Sequence, residues 1–568
     1  MNNFVNKFKT VFSDIFSYHP KDNYNFTISE TPNNNNLNLS SEKDLSQTIF
    51  NKLDKNLEFM KIRYNSMINS DIVIREFTLN ARNKQFSAFI FYIDGMVDQQ
   101  LVNDFVLNPL MLKNIANSFD GEQNKIISEI NANNVTIRKV KKFNITDYID
   151  NCLIPQNSVK KETEFSNIIS GINSGNCALF VDTINIAFNI DVKGFKQRSI
   201  DSPNNEIVIR GPHEAFVENI RTNTSLLRRT VNNENLVIEN IEVGNISKTN
   251  CAVCYLKNIA NNDLVAEVKF RLNNLDIDSL LSSGELEQLI GEETNYGIPV
   301  IIATERPDKA TKHLFEGRVV IIVNGNPYVL IMPGTFIDFM SSPEDTNLKP
   351  VFANFLRVIR GLSLFLTLLL PGIWVGVTNF HQELIPTELL FSIVSSRQNV
   401  PFPMIFEILL MEISFELIRE AGLRVPSPIG PTIGIVGALV LGQAAVSASI
   451  VSPILIIIIA ITGIASFAIP DFSFGFHLRI SRFLFIALAY MSGFLGLGLG
   501  VLIYITTLCN IKSFGIPYMV PYAPLTTKTS SRYLVSPTWK QEQRPDYLNP
   551  KKRTSQSHIS MKWKYWKN

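Results

Sequence analysis

Three charge-free runs near the C-terminal end constrain this chain most. They are Gly361–Phe380 (20 residues), Val425–Pro470 (46 residues) and Phe483–Ile511 (29 residues). A bilayer core takes about 20 apolar helical residues per crossing. The first and third runs each match one span. The second is long enough for two, with a break expected near Ser449–Pro453. The runs predict an all-α polytopic membrane domain of four spans, with one or two further candidate segments. Between the first two runs, Pro403–Arg419 has an apolar helical pattern that carries Glu407, Glu412 and Glu416. Carboxylates at that density beside a membrane need a partner, water or a function.

The averages conceal this division. Charged residues are 18% of the chain and mean hydropathy is +0.10. These values mix a polar first 350 residues with the apolar runs. A net charge of +2 leaves no electrostatic footprint for nucleic acid, so none is expected as a partner. The start, MNNFVNKFKTVFSDIF, lacks the apolar core and small-residue cleavage site of a secretory signal, so the polar part is expected in the cytoplasm. Five scattered cysteines, four of them in that part, argue against a disulfide framework. Cys251-Ala-Val-Cys254 lies in a strand-like run, where positions i and i+3 face opposite ways and do not chelate together. No cofactor or metal is expected.

Residues 1–43 are Asn- and Ser-rich and read as a disordered tail, with one amphipathic candidate at 4–16. Residues 44–349 interleave helical and strand-like patterns, which predicts an α/β region. The strand-like runs include Asp71–Phe77, Ser87–Asp94, Ala178–Asp182, Glu206–Arg210, Asn250–Leu256, Pro299–Thr304 and Arg318–Val323. IVIREF (72–77) followed by AFIFYIDGMVDQQLV (88–102) has a counterpart in LVIENI (236–241) followed by AVCYLKNIANNDLV (252–265). This predicts two related subdomains, 44–169 and 170–349, ahead of a membrane domain at 350–525 and a basic flexible tail at 526–568. The α/β region should also be separable from the apolar runs.

After the strand-like EIVIR, Pro212 suits the first position of a helix. Glu214 and Glu218 then complement its positive end, and Arg228 and Arg229 its negative end. Arg210 stands before it, and Glu214, Arg221 and Arg228 form one stripe. An amphipathic helix on a sheet explains the pattern; the sharper expectation is a subunit contact through Arg210, Glu214, Arg221 and Arg228. In the apolar runs, Gly430 and Gly434, and the stripe Ser492, Gly496 and Gly500, mark close helix packing, within one chain or in a homo-oligomer. Glu412, Glu416 and Glu420 recur at i, i+4 and i+8 and form one stripe, a candidate ion path. Arg419 and Arg424 stand three and four residues from Glu416 and Glu420, so a neutralised ion-pair ladder explains it equally well. Arg357 and Arg360 before the first run keep the α/β region inside. The same rule conflicts with a last crossing that would carry the basic tail outside.

Long strings carry a family resemblance. RGPHEAFVENIRTNTSLLRR (210–229), ATERPDKATKHLFEGRVVIIVNGNP (303–327), SSPEDTN (341–347) and PFPMIFEILLMEISFELIREAGLRVPSPIG (401–430) resemble the A subunit of GerA-type spore germinant receptors. So do IVGALVLGQAAVSASIVSPILI (435–456) and SFGIPYMVPYAP (513–524). His213 departs from the family's usual Arg, and Asn324-Gly325 from its common Asp-Gly. The resemblance implies a multi-pass protein of the spore inner membrane, its N-terminal region facing the core. It also implies a transporter-like B subunit, a lipoprotein C subunit, and a role in nutrient signalling and ion release with no catalytic residue. A stand-alone secondary transporter is the alternative; it usually shows two similar membrane halves, and none are seen. A membrane-anchored enzyme is the third reading. The sequence has no G-x-x-x-x-G-K-[ST], H-E-x-x-H or G-x-S-x-G to support it.

Overall fold

The computed structural model describes residues 47–81, 84–112, 145–194, 203, 205–292, 297–424, 442–526 and 534–556. The tail helix candidate at 4–16 lies outside them, as do Gly430 and Gly434.

Two five-stranded sheets build the α/β half. The first unit opens with α1 (Leu53–Arg63), followed by β1 (Ile72–Ala81), β2 (Lys84–Ile93) and β3 (Val159–Glu162). It closes with α2 (Phe165–Asn173), β4 (Cys177–Val181) and β5 (Ala187–Ile190). The second unit opens with α3 (Ile220–Val231), followed by β6 (Leu236–Val243), β7 (Thr249–Leu256), α4 (Asn262–Asn273) and α5 (Ser283–Ile290). Then come β8 (Ile302–Thr304), α6 (Pro307–Glu316), β9 (Val319–Val323) and β10 (Val329–Met332). Strand order is β1-β2-β4-β5-β3 in one sheet and β6-β7-β9-β10-β8 in the other, the same path twice. All the paired strands are antiparallel. The paired segments noted in the sequence, 72–77 with 236–241 and 88–102 with 252–265, fall on equivalent hairpins.

Two expectations need correction. The divide at residue 170 falls inside the first sheet, because β4 pairs with β2 and β5 with β3. The turn-rich SGINSGN that suggested it ends α2 and leads into β4. The units part between Gly194 and Ile220. Glu206–Arg210 is not a strand either. Its backbone instead meets side chains: Asn205 and Glu206 N–H donate to Glu305, and the buried Arg306 donates to the Glu206 and Pro212 carbonyls. The following helix therefore starts at Ile220, not Pro212. Asn219 caps it by accepting from Arg221 and Thr222 N–H, a stronger start signal than a proline alone.

The helical half holds α7 (Phe336–Phe339), α8 (Pro350–Phe380), α9 (Thr387–Arg397), α10 (Met404–Arg424), α11 (Pro453–Phe467) and α12 (Phe472–Asn510). Among the described residues, α8 and α12 are long and apolar enough to cross a membrane, and α11 is a shorter apolar helix. That is fewer than the expected four spans. Residues 425–441 lie outside the description, α10 carries too many charges, and α11 at 15 residues is short for a crossing on its own. The break expected near Ser449–Pro453 is present. Ser449 has φ +55° and α11 starts at Pro453.

α12 is not one rod. Ser492 and Gly493 leave helical geometry, with Gly493 at φ +59°. His477 Nε2 and Tyr504 Oη lie 3.0 Å apart, although 27 residues of straight helix would separate them by about 40 Å. The chain therefore doubles back, and arms 472–491 and 494–510 run antiparallel. Gly496 and Gly500 form the seam. A Cβ on Gly496 would clash with the Leu488 carbonyl oxygen, and one on Gly500 would lie 2.7 Å from Leu488 Cδ1. The small-residue stripe thus packs within one chain; Ser492 sits exposed at the reversal.

The reversal settles the conflict over the basic tail. Residues 534–556 return to the α/β half: Arg544 donates to the Phe315 carbonyl, Lys551 to the Lys257 carbonyl and Asn262, and Arg318 to the Tyr547 hydroxyl. Phe336 and Phe339 of α7 meet Phe474 at 5.7 and 6.1 Å between ring centroids. The apolar core of the second unit consequently runs without a break into the helical half. The first unit closes its own core on both faces of its sheet.

Candidate functional site

The carboxylates of α10 hold the helical half together. Glu407 is fully buried, accepts from Arg397 of α9 at 2.9 Å, and accepts the Ser452 N–H at the head of α11 at 3.2 Å. Glu412 is fully buried as well, with Oε2 2.7 Å from Arg482 Nη2. Neither of its oxygens lies in line with an N–H, so that contact is Coulombic rather than a formed hydrogen bond. Glu416 lies 3.2 Å from Arg482, 3.3 Å from Arg419 and 3.7 Å from Arg479. Arg419 also donates to Ser466 Oγ of α11 at 2.7 Å, with its guanidinium over Phe415 and Phe467. Glu420 lies at the exposed end of the stripe.

Glu412 and Glu416 are therefore brought together, and Arg419, Arg479 and Arg482 surround them. Charges in an apolar bundle attract strongly, but only an intact set offsets their desolvation. The arrangement is the ion-pair ladder, with most partners supplied by the first arm of α12. Sequence reasoning found the carboxylates and Arg419. It missed Arg479 and Arg482 as partners because they lie more than 60 residues away; their only signal was a pair of arginines just before a charge-free run.

The arginine stripe of α3 also turns inward. Arg228 is buried and binds Asp71 of the first unit at 2.7 and 2.9 Å, with Asn69 at 3.3 Å. Arg221 pairs with Asp94 of the first unit. Glu214 lies before the helix rather than on it, and pairs with Arg229. Arg210 is exposed. The expected subunit contact is thus, for Arg221 and Arg228, a contact between the two units of one chain. Asn69 and Ser70 extend it by bonding the backbone of Ile238, on edge strand β6. Asn324, where the family commonly has Asp, accepts from the Ile220 N–H at 3.4 Å, a role that needs an oxygen and no charge.

A third cluster joins the halves. Arg318, fully buried, donates to Asp338 and to the Pro333 carbonyl at 2.6 Å, and Glu316 lies 3.4 Å away. Burial pushes Glu316 up, but His313 and Arg318 outweigh it and hold the carboxyl down at about 2. Burial and Arg318 lower His313. Nearby, Asp345 takes both Arg357 and Arg360 at 2.8 Å, so these two arginines are buried at the foot of α8. Cys251 and Cys254 are buried thiols within β7. Among the described residues, no group of acidic, His or Cys side chains could hold a metal ion.

A duplicated α/β unit fused to an apolar helical bundle that carries its own neutralised carboxylates defines the class: a two-part, membrane-competent protein. The family model described as the Bacillus/Clostridium GerA spore germination protein matches residues 58–547, and the chain belongs to that family. Spore germination protein KA of Bacillus subtilis (strain 168) is 38% identical over 91% of this chain and 90% of its own length. Spore germination protein B1 of the same organism is 35% identical over 83% of this chain and 91% of its own. Spore germination protein GerLA of Bacillus cereus is 38% identical over 70% and 81%. The crystallised N-terminal domain of the A subunit of the Bacillus megaterium spore germinant receptor GerK3 is 32% identical, covering 51% of this chain and 98% of that domain, with a TM-score of 0.38.

Proposed function

We propose that this chain is the membrane-embedded A-type subunit of a nutrient germinant receptor. It sits in the spore inner membrane with its α/β half facing the core. It acts with a transporter-like B subunit and a lipoprotein C subunit, and it forms or gates an ion-release path rather than catalysing a reaction. The observation that carries the reading is the Arg482–Glu412–Glu416 cluster, which ties α10 to the α12 hairpin. The base of that hairpin is packed on the α/β half through Phe474 and Phe339. Motion of the α/β half is thereby delivered to a set of buried charges. Separating Arg482 from the carboxylates would free α10 to move and leave acidic side chains to attract a cation.

Glu→Gln keeps the shape and removes the charge. In spores carrying Glu412→Gln/Glu416→Gln, we expect normal protein level, normal co-purification of partner subunits, and slowed or abolished nutrient-triggered cation release. Unchanged release would sink the assignment. Loss of the protein itself would leave only the structural role of the ladder. A stand-alone transporter remains the second reading, and ion flux from the purified subunit without partners would favour it.

A further inference from the structure

α8 is longer than a membrane needs. Its 31 residues extend about 46 Å, while a hydrocarbon core takes about 30 Å. Roughly ten residues at its foot therefore lie beyond the core. That foot is two-faced. Ala353, Arg357 and Arg360 are buried, the arginines on Asp345. Val351, Phe355 and Val358 are exposed on the other side, at 76, 65 and 58%. The apolar stripe they form continues upward, without a polar break, into exposed Leu362 and Phe365 within the expected span.

The C-terminal strap lies beside this stripe, at Asn354. Asn354 and Val535 exchange two hydrogen bonds, Asn354 Nδ2 to the Val535 carbonyl at 3.2 Å and Val535 N–H to Asn354 Oδ1 at 2.7 Å. Val535 is flanked by exposed Leu534 and followed closely by exposed Trp539, with the Lys540 ammonium 5.0 Å from the indole centroid. An apolar side chain, an indole and a lysine together are the pattern of the headgroup layer, where amphipathic rings and cations are both favoured. Residues 526–568 hold ten Lys and Arg against two acidic residues, a surplus of eight in a chain whose net charge is +2.

We propose that the foot of α8 and the strap Leu534–Lys540 together form an interfacial surface that seats in a leaflet of anionic phospholipid. The proposal rests on the reading that the bundle spans a membrane. Continuity with the lipid-exposed face of α8 and the surplus of positive charge both favour lipid over a protein partner. Lysines near a surface of anionic lipid each strengthen attachment by about fivefold.

The test uses the full-length chain in bilayer nanodiscs whose lipids are brominated on the acyl chains, made of phosphatidylcholine alone or with phosphatidylglycerol added. The sequence has four tryptophans, Trp374, Trp539, Trp563 and Trp566, and single-tryptophan variants are made with phenylalanine at the other three. The variant retaining Trp374, in the apolar run of α8, reports whether the helix is in the bilayer at all. The variant retaining Trp539 reports the proposal. We expect both to be quenched, Trp539 by bromine near the headgroup end and more strongly when phosphatidylglycerol is present. Quenching of Trp374 with none of Trp539 would overturn the proposal and leave the membrane reading intact; loss of both would overturn the membrane reading. Equal quenching of Trp539 in the two lipids would overturn its anionic selectivity. The wild-type chain gives an independent reading: amide exchange over 534–541 should slow when phosphatidylglycerol is added, by about fivefold for each lysine engaged. Unchanged exchange would count against the proposal.

Discussion

Glu287 shows what a single residue contributes at the joint between the halves. It lies on α5, and burial, with Asp471 at the head of α12 adding to it, raises its carboxyl from 4.5 to about 7. The folded state then holds a proton that the unfolded chain has released over that interval. The contribution of Glu287 to stability is fully present below about pH 4.5, is lost as pH rises through about 7, and is absent above that. A shift of that size corresponds to roughly 3–3.5 kcal/mol as an upper bound. Glu287→Gln should flatten this slope, which thermal melts of wild type and variant across that interval would measure. Parallel pH profiles would contradict it. The sequence could not reveal this residue. Glu287 is an ordinary surface-type glutamate in SGELEQLI, and the charge that adds to its burial, Asp471, comes 184 positions later.

At the scale of elements, α3 and α12 were each legible in part. The amphipathic pattern of α3 was visible, but what its charged stripe faces was not, because facing depends on a second unit that spacing alone cannot orient. Arg228→Met would leave Asp71, whose side chain is 12% exposed, without its charge partner, and such a loss is worth at most about 3–5 kcal/mol. We expect the two units to loosen and the melting temperature to drop. The paired variant Arg228→Met/Asp71→Leu should recover part of the loss; a lone variant that melts like wild type would show the bridge to be inert. The seam of α12 is tested by Gly496→Ala. The new Cβ meets the Leu488 carbonyl oxygen, and overpacking of this kind costs about 1–3 kcal/mol. Gly498→Ala is the control, since nothing lies within 4 Å of its position. Equal melting temperatures for the two variants would show that the arms do not pack here. The glycine stripe was plain in the sequence. Its use within one chain was hidden, because a reversal at Ser492–Gly493 leaves no proline, no charge and no break in the apolar run.

For the whole molecule, the repeat was readable from the first hairpin of each unit, where the spacing is almost conserved. The boundary was not, because the second hairpin of the first unit follows a longer connection. Strands β3, β5 and β10 are four residues each, too short to carry a periodicity. The joining of the two halves was also hidden: it depends on Phe336, Phe339, Phe474 and Tyr518, which are unremarkable aromatics in sequence. The contacts of residues 534–556 with the α/β half demand that both lie on one side of any membrane. A cysteine placed at exposed Ser555, and another at exposed Glu58, should react with an impermeant maleimide from the same side of sealed vesicles. Labelling from opposite sides would break the fold as described.

The cluster on α10 also has a history in time. Glu416 and Arg482 are 66 residues apart, so the ribosome makes the acids well before the bases that neutralise them. At about 5–20 residues per second, the gap is on the order of three to thirteen seconds. Through that interval only Arg397, Arg419 and Arg424 have been synthesised nearby, and α10 carries Glu407, Glu412, Glu416 and Glu420. A helix so charged is a poor candidate for early release into lipid. It is expected to wait in the insertion machinery or at the water interface until the first arm of α12 arrives, so insertion of the last hairpin completes a helix made well before it.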